Sequence, residues 1–599
     1  MIDRMTRYNF ILLNGEQEAF LRKLQELGVV DVTRSVKPVD EKSSALLSRA
    51  ERLREAREQL SQVDFEGVKA AKVSTDNPAE EYFSAKAELE DLEKRISDTE
   101  RAVEERKPWG DFDKEKLDDL EKRGYRIRWY REPKRAFSKD WESMVPLQVI
   151  KDDGKDVGFV TISDDPSYSF PVKEIQAPAG DCTEAENELS ELRTKAQETK
   201  ARLTGLKSFG EALDKEYART MEELDRYLAD EGADKTVENH ICIMEGFAPV
   251  EEDERLETEF NSSDILWYKS AAKVEDNPPI KLKNNAFTRM FTVLTDMYGR
   301  PEYNGFDPTP FISVFFLLFF AFCMGDAGYG LVLLLIGLAM RKSQSTKDIA
   351  SLVMTLGAGT IVIGLFFHTF FSIDLLNWKC IPDAVKKFML PSKIMGYDGT
   401  MVLAILVGIF HLCVAFVVKA INATKQKGFV NSLGTWGWTL LIVGGVIVGG
   451  IALTGALDKA VTKWVIIVLG CISALGIFIL NDIHRNPLAN FGTGLWETYN
   501  TATGLLGDVL SYLRLYALGL AGAMLGQAFN SLGIMALGDK GIGGWIAFLL
   551  IVLVGHVLNM AMAALGAFVH PLRLNFLEFF KNSGYETSGR NYNPLVNKE

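Results

Sequence analysis

Residues 505–520 read LLGDVLSYLRLYALGL, an almost unbroken apolar run with Arg514 near its centre. About 20 apolar residues span the hydrocarbon core of a bilayer, so this stretch is typical of a membrane-spanning helix. One arginine near mid-bilayer costs at least about 2.5–3.5 kcal/mol on insertion scales, so such a charge is a functional hypothesis by default. Its expected partner is a carboxylate or a passing cation. A second arginine, Arg573, ends the next apolar segment, and the pair indicates charge translocation.

The two halves of the 599-residue chain differ sharply in composition. Charged residues crowd positions 1 to about 285, whereas residues 311–581 hold long runs of apolar side chains. This contrast predicts a mainly α-helical, multi-pass membrane protein with a large soluble N-terminal domain. The opening residues, MIDRMTR, contain no apolar signal-peptide core, so we expect the N-terminal domain to be cytoplasmic.

Composition and motifs also exclude several classes of function. The net charge of −13 argues against nucleic-acid binding. The six cysteines are scattered without CxxC spacing, so neither a disulfide framework nor a metal site is expected. Neither GxxxxGK[ST] nor GxGxxG precedes a helix, so we expect no nucleotide or other cofactor on this chain. The protein is therefore not expected to be an enzyme by itself.

The soluble half predicts a coiled-coil rod with a small α/β lobe at each end. Apolar positions follow steps of three and four over 89–103 and 189–206, a spacing that lets two helices share a narrow seam. Alternating segments at 125–130 and 157–162 are typical of strands. The alternative is an ordinary charged helical domain with amphipathic faces. The expected arm, 1–290, comprises a proximal lobe (1–38 and 231–275), a rod (39–108 and 181–230) and a distal lobe (109–180).

After a linker at 291–310, the expected membrane domain covers 311–581, and a cytoplasmic tail covers 582–599. Residues 311–340 are interrupted by GDAGYG at 325–330 and form either one tilted span or a broken hairpin. The hairpin is favoured and gives about eight segments. The last two exceed 30 residues, which implies strong tilt or extension beyond the bilayer. The other apolar runs are 348–371, 400–420, 433–456, 463–481, about 498–535 and about 542–580.

Small residues surround both arginines on their helices. Gly507, Leu510, Arg514, Ala517 and Ala521 share one face at steps of three and four. The last segment has a similar stripe, formed by His556, Asn559, Ala563, Gly566, His570 and Arg573. Such surfaces let another helix approach closely. They fit a moving apolar partner with a buried acid, which an arginine would attract and help keep ionised.

Several of these charges also have simpler interpretations. Arg573 lies near a helix end, from which its side chain can reach the membrane interface, and Arg514 could be a static partner for Asp508 or another buried carboxylate. His411 fits a packed helix histidine, and Asp326 fits a helix cap. Near a membrane boundary, Asp482, His484 and Glu497 are either ordinary surface charges or the lining of a water-filled entry route. Pro571 is expected to kink the last helix beside His570 and Arg573.

Four stretches resemble the membrane stator of V-type (V/A-type) rotary ATPases, the subunit a and subunit I family. The stretch GDVLSYLRL at 507–515, with ALGLA at 517–521, is highly specific. The moderately specific stretches are DPTPF at 307–311, GDAGYG at 325–330, and HPLRL at 570–574 followed by EF at 578–579. The N-terminal opening and EGFAP at 245–249 are similar too, so the resemblance covers essentially the whole chain.

The resemblance implies that Arg514 faces the carboxylate of a proteolipid (c/K-type) ring and separates two aqueous half-channels, with Arg573 as its companion. It implies that the arm binds peripheral stalk (E/G-type) subunits and that other V-type ATPase subunits complete the complex. Eukaryotic members usually carry a glutamate and a histidine where this chain has Ala563 and Gly522, so those two channel groups are not transferred. The candidate ion-translocating residues are Arg514, Arg573, Asp508, Ser511, His570, Glu578, Asp482 and Glu497.

The function expected from this resemblance is that of a non-catalytic stator subunit, in a bacterial or archaeal plasma membrane, that moves H⁺ or Na⁺ while other subunits hydrolyse or make ATP. The alternative is a stand-alone ion-coupled secondary transporter with a cytosolic regulatory domain, which predicts internal repeats with matching broken helices. A membrane scaffold is a third reading, but it gives no reason for Arg514.

Overall fold

The computed structural model describes residues 2–13, 15–35, 37–65, 67–109, 114–152, 154–165, 170–175, 182–236, 240–263, 265–342, 347–377, 386, 389–394, 396–455, 458–481, 486–538 and 541–597. The described part is mainly helical, as predicted, with small sheets in the N-terminal half.

The N-terminal half alternates strands and helices. The strands are β1 (Met5–Leu13), β2 (Asp31–Val32), β3 (Arg126–Pro133), β4 (Leu147–Asp152), β5 (Asp156–Ser163), β6 (Asp234–Thr236), β7 (Ile241–Pro249), β8 (Leu266–Ala271) and β9 (Pro279–Ile280). The helices are α1 (Gln17–Leu27), α2 (Glu41–Gln62), α3 (Pro78–Arg106), α4 (Lys114–Lys122), α5 (Cys182–Leu206), α6 (Gly210–Glu231), α7 (Asp253–Asn261), α8 (Ala286–Arg289) and α9 (Thr292–Tyr298).

The C-terminal half is built almost entirely from apolar helices. They are α10 (Thr309–Met324), α11 (Ala327–Met340), α12 (Lys347–Phe366), α13 (Gly399–Lys427), α14 (Leu433–Thr454), α15 (Lys459–Phe478), α16 (Pro487–Leu537), α17 (Gly541–Arg573) and α18 (Phe580–Ser583), with a π-helix at Leu574–Phe579 between the last two. The short strands β10 (Thr369–Phe370), β11 (Ile373–Asp374), β12 (Lys393–Ile394), β13 (Tyr397–Asp398) and β14 (Arg590–Asn591) lie in the connections and the tail.

The chain forms two compact units. One comprises Met1–Ile11, Val29–Asp31 and Glu245–Pro594, and is called the membrane unit below; the other comprises Leu12–Gly28, Val32–Met244 and Leu595–Glu599, and is called the arm unit.

Paired helices dominate the arm unit, where α3 packs on α5 and α2 packs on α6. The seam predicted from the spacing is buried: Leu89 and Leu92 of α3 and Leu192 and Leu203 of α5 are at most 7% exposed. These side chains form one apolar cluster. The coiled-coil prediction is therefore confirmed. A separate antiparallel sheet, ordered β3-β5-β4, lies between α4 and α5 in sequence, where the alternating segments predicted strands.

Gly205 lies closer to a neighbouring segment than any other described glycine of the arm unit. A Cβ at this position would lie 2.1 Å from the carbonyl oxygen of Ala71, whose segment also hydrogen-bonds to α5 through Ala201. We expect Gly205→Ala to cost about 1–3 kcal/mol of arm stability, since overpacking forces a backbone shift. Limited proteolysis should then cut the 63–77 segment faster. Gly210→Ala is the matched control, because its Cβ would meet only the Arg57 side chain at 3.5 Å. Equal cleavage of both variants would contradict the prediction.

The membrane unit contains an α/β lobe that includes β8, α7 and residues 5–11 of β1. Strand β1 pairs with β8 antiparallel from Thr6 opposite Ala271 to Ile11 opposite Leu266. Phe10 is fully buried and packs edge-on against Phe260 of α7. Burial and a hydrogen bond to Asp253 raise the pKa of the Tyr8 phenol far above its ordinary value.

Six helices in the described part of the chain are long and apolar enough to cross a membrane. Two of them, α16 and α17, contain 51 and 33 residues. At 1.5 Å per residue α16 is about 77 Å long, far more than the roughly 30 Å of a hydrocarbon core. The prediction of two unusually long C-terminal helices is confirmed.

Residues 311–340 form two helices rather than one. Helix α10 ends at Gly325, whose φ of 54° is left-handed, and Asp326 begins α11 by accepting hydrogen bonds from Gly328 N and Tyr329 N. The interpretation of Asp326 as a helix cap is confirmed. The two helices are about 24 and 21 Å long, shorter than a hydrocarbon core.

One end of the membrane unit holds the segment that follows the α/β lobe in the chain. Thr309, at the start of α10, contacts Thr295 of α9, and Tyr585 donates to the carbonyl of Gly299. The end that holds these residues is called the lobe side, and the end that holds Asp326 the far side. The segment 291–310 includes α9, and its Phe291 and Leu294 are buried in the same apolar cluster as α10. Strand β14 in the tail pairs in parallel with β9.

Candidate ion-translocation site

Arg514 lies on α16, a helix that is half embedded in the membrane unit. Tyr512 and Leu515 point into the core and are fully buried, whereas Leu510 is 56% exposed. Arg514 itself is half-buried. Among the described residues no side chain forms an ion pair or hydrogen bond with its guanidinium, so the reading of Arg514 as a static partner of Asp508 is not supported. The structure leaves a membrane-level cation without an internal counter-charge in the described chain.

Arg573 lies at the end of α17, on the lobe side of the unit. Its Nε is 3.8 Å from Oε1 of Glu578, and the two side chains are 47% and 5% exposed. His570, one turn earlier, lies within electrostatic range of both Arg573 and Arg514. The two arginines therefore act on a common region of the α16–α17 surface, with His570 close by.

The backbone after Arg573 departs from a regular α-helix. Pro571 has no N–H to donate, and the chain changes to a π-helix at Leu574–Phe579. The side-chain amide of Asn575 donates to the Pro571 carbonyl at 2.8 Å. A π-helical turn alters the direction of the side chains that follow, and here it buries Glu578. The sequence predicted a kink at Pro571 but gave no signal for a π-helix.

A cluster of polar side chains, called the lobe-side cluster, surrounds Glu578. Asn582 donates to Oδ2 of Asp508 at 2.7 Å and to the carbonyl of Glu578 at 2.7 Å. Lys581 Nζ is 4.0 Å from Oδ1 of Asp508. Ser511 donates to the Gly507 carbonyl at 3.1 Å and lies beside the Glu578 carboxyl. Four of the predicted site residues, Asp508, Ser511, Arg573 and Glu578, thus come together here.

Glu497, one of the two predicted boundary acids, lies near the start of α16. Glu497 accepts a hydrogen bond from Asn481 at 3.2 Å. It lies 11 residues before Asp508 on the continuous helix α16, or about 16 Å along its axis, so it is out of contact with Arg514, which lies farther along the same helix. Asp482 lies outside the described residues.

A second polar cluster, the far-side cluster, lies beyond Arg514 along α16. Tyr329 Oη is 2.7 Å from His556 Nδ1, and His556 Nε2 is 3.0 Å from Asn530 Oδ1. Asn559 donates both to Tyr329 Oη and to the Gly522 carbonyl at 2.8 Å. The sequence placed His556 and Asn559 on the stripe of α17. It gave no signal for Asn530 and contained Tyr329 only within a glycine motif. The cluster depends on how α16 and α17 cross and on α11, which is over 200 residues away in sequence.

Arg514 lies between the two clusters. Along α16 it is about 9 Å from Asp508 on the lobe side, about 12 Å from Gly522 and about 24 Å from Asn530 on the far side. A cavity of about 170 Å³ adjoins the far-side half of this helix, lined by Tyr516, Gly519 and Ala523 together with His368 and Asp398. Ionisable and amide groups therefore lie on both sides of Arg514 along α16, and the α16 residues in between are mostly apolar, apart from Ser511, Tyr512 and Tyr516.

The face of α16 that carries Arg514 is not covered by the rest of the described chain. Gly507, Ala517 and Ala521 are exposed on it, as the shared-face pattern predicted. On α17 the exposed side chains are large instead, including Met562 and Leu565 at 61% and 69%. The uncovered surface beside the arginine is thus apolar and combines small residues with exposed leucines such as Leu510, a composition suited to contact with another helix.

Comparison with known proteins agrees with these features. The V-type ATPase 116kDa subunit family matches residues 160–373 and 497–596, which include both arginines and most of both clusters. A-type ATP synthase subunit I of Pyrococcus abyssi (strain GE5 / Orsay) is 31% identical over 336 residues, 54% of this chain and 48% of that protein. The chain thus spans about half the length of this relative.

Other relatives align over more of their length. A-type ATP synthase subunit I of Methanocaldococcus jannaschii is 27% identical over 504 residues, 77% of this chain and 71% of that protein. V-type ATP synthase subunit I of Borreliella burgdorferi is 24% identical over 626 residues and covers 99% of both chains. Since the family match covers more than half of the 599 residues, the chain belongs to the V-type ATPase 116kDa subunit family.

Proposed function

We propose that this chain is the non-catalytic membrane stator subunit of a V-type rotary ATPase or ATP synthase. The observation that carries the proposal is Arg514, a half-buried guanidinium without a counter-charge in the described chain, set between two separate polar clusters. Burying a cation in a membrane is costly, so its retention implies a partner in the assembled complex. A ring of proteolipids that each carry a membrane carboxylate supplies such a partner.

In this proposal the lobe-side cluster and the far-side cluster line two half-channels that do not connect. An ion enters through one cluster and neutralises a ring carboxylate, which then moves into the lipid phase. When the carboxylate reaches Arg514 from the other side, the positive charge favours its ionised form and the ion leaves through the second cluster. The cavity beside Gly519 and Asp398 is the proposed far-side vestibule.

The exposed face of α16 is the proposed contact surface for the ring. Its exposed glycine and alanines at 507, 517 and 521 let a proteolipid helix approach the arginine closely. Each charge that crosses 100 mV is worth about 2.3 kcal/mol, so several ions must pass for each ATP. The transported ion is H⁺ or Na⁺, and the ring carboxylate and its neighbours select between them.

The soluble half is the proposed stator arm on the cytoplasmic side, with the domain division 1–290, 291–310, 311–581 and 582–599. Its buried helix seam and small sheet lobe suit a stiff connector to peripheral stalk subunits. Such a connector resists the torque of the ATPase head, which lets rotation do work on the ions. ATP chemistry then belongs to other subunits.

Purification in mild detergent tests this assignment directly. We expect the chain to co-purify with a small proteolipid and with ATPase subunits, and the reconstituted complex to transport ions when given ATP. A chain that purifies alone and transports ions by itself would favour the secondary transporter instead. The same preparation serves for each variant described below.

Asp508→Asn tests whether Asp508 belongs to an ion access route, a role distinct from that proposed for Arg514. The change removes the carboxylate charge but keeps the side-chain shape and an oxygen that can accept from Asn582. We expect ion transport and ATP hydrolysis to fall together by the same factor, because slower ion entry slows the whole rotor. The number of ions per ATP should stay unchanged. Asp458→Asn, at an exposed helix start without a side-chain cap, is the matched control and should have no effect. A normal rate in Asp508→Asn would remove Asp508 from the route.

A further inference from the structure

His411 is a fully buried histidine on α13 whose side chain is hydrogen-bonded to α16. Its Nδ1 is 2.9 Å from Tyr512 Oη, and its Nε2 has no hydrogen-bond partner among the described residues. Aromatic rings surround the imidazole. The ring of Phe579 stacks on it with the centroids 4.9 Å apart, and the centroid of the Phe315 ring lies 4.1 Å from that of the imidazole. The imidazole is thus packed on several sides by aromatic rings, and its hydrogen bond in the described chain is with the Tyr512 hydroxyl.

Gly408, one turn before His411, lies directly against the same tyrosine. A Cβ at this position would lie 2.3 Å from Tyr512 Cγ, a distance that real Cβ atoms essentially never show. The tyrosine ring therefore sits in a notch on α13 that only glycine leaves open, and its hydroxyl is fixed by His411. Both contacts hold the buried side of α16 at this level.

Tyr512 lies two residues before Arg514, so the two side chains point to nearly opposite sides of α16. Tyr512 is fully buried, while Arg514 lies at the uncovered face. A 20° rotation of the helix would move a group about 6 Å from its axis by about 2 Å. A displacement of that size at Arg514 would alter its distance to an approaching carboxylate substantially.

We propose that His411, together with the notch at Gly408, is a positioning residue that holds Tyr512 and so sets where Arg514 points. The proposal rests on the function proposed above. Loss of the Tyr512–His411 hydrogen bond lets α16 rotate or wobble, so the guanidinium no longer meets every passing carboxylate. Ring carboxylates then pass without releasing their ion, and ATP hydrolysis continues with fewer ions moved.

The test uses the assembled complex carrying Tyr512→Phe, His411→Leu or both, reconstituted in vesicles. We expect normal assembly and a fall in ions transported per ATP of roughly three- to tenfold, the range that one lost buried hydrogen bond commands. The double variant should fall no further than either single variant, because both remove the same contact. His411→Asn, whose amide oxygen can take the place of Nδ1, should restore most of the ratio. A purely structural role would change the amount of complex but not this ratio, and an unchanged ratio in Tyr512→Phe overturns the proposal.

A cryo-EM map of the Gly408→Ala complex gives a readout independent of transport. We expect α16 to be displaced or rotated at Tyr512, whereas Gly449→Ala on α14, with nothing within 4 Å of its Cβ, should leave the map unchanged. An α16 that keeps its place in Gly408→Ala contradicts the positioning role. If Arg514→Ala retains coupled transport, the proposed function fails, but the movement of α16 still decides whether His411 and Gly408 set its rotation.

Discussion

Replacing Arg514 by alanine is expected to abolish ATP-driven ion transport while the complex still assembles and hydrolyses ATP. An opposite charge within about 4–6 Å lowers a carboxyl pKa by about 1–3 units, so its removal makes ion release at the far end of the cycle about 10- to 1000-fold less favourable. Since no carboxylate in the described chain pairs with Arg514, its loss leaves no internal charge unbalanced. The variant should therefore fail in coupling and not in folding.

The measurement is ion uptake into vesicles beside ATP hydrolysis by the same preparation. Arg514→Lys keeps the charge but loses the planar fork, so it should retain partial transport. Lys463→Ala is the matched control, since Lys463 is an exposed cation on the apolar helix α15, and it should behave like the unaltered protein. Near-normal coupled transport by Arg514→Ala would remove the basis of the proposed function.

The architecture of this chain follows closely from local sequence patterns. Steps of three and four at Leu89, Leu92, Leu192 and Leu203 identified the seam of the arm, because a coiled coil is specified by spacing alone. The long apolar runs identified α16 and α17 because membrane helices depend on length and composition. Neither inference requires knowledge of which distant residues meet.

The surroundings of the arginine were predictable only in part. His556 and Asn559 fell on the predicted stripe, but their partners come from the neighbouring helix α16 and from α11. No periodicity connects α17 with α11, which is over 200 residues away. The π-helix after Pro571, which orients Glu578, has no signature in a single sequence. His411 was interpreted as a packed helix histidine, which its burial supports, yet its hydrogen bond to Tyr512 depends on how α13 crosses α16.

Asp326 provides the second large expected effect, on stability rather than on transport. Its Oδ1 accepts hydrogen bonds from the backbone N–H groups of Gly328, Tyr329 and Phe371, and its Oδ2 accepts from Ser372. Phe371 and Ser372 have left-handed φ values of 46° and 58°, a conformation that costs about 1–2 kcal/mol per non-glycine residue. Asp326, only 4% exposed, therefore offsets this strain and satisfies four backbone donors at once.

Asp326→Ala is accordingly expected to destabilise the protein by at least about 4 kcal/mol, since each hydrogen bond to a charged group contributes about 1.5–3 kcal/mol. The midpoint temperature of unfolding in detergent should drop strongly and the yield of complex should fall. Asp326→Asn should be intermediate, because its amide can replace one oxygen but turns a second donor toward a backbone N–H. The matched control is Asp398→Ala, which removes an exposed cap on Thr400 N at the start of α13 and should cost about 0.5–2 kcal/mol. If Asp326→Ala unfolded at the normal temperature but lost transport, the stability prediction would be wrong and Asp326 would instead belong to the far-side ion route. Its four hydrogen bonds would then not be needed to hold α11 against the 367–372 segment.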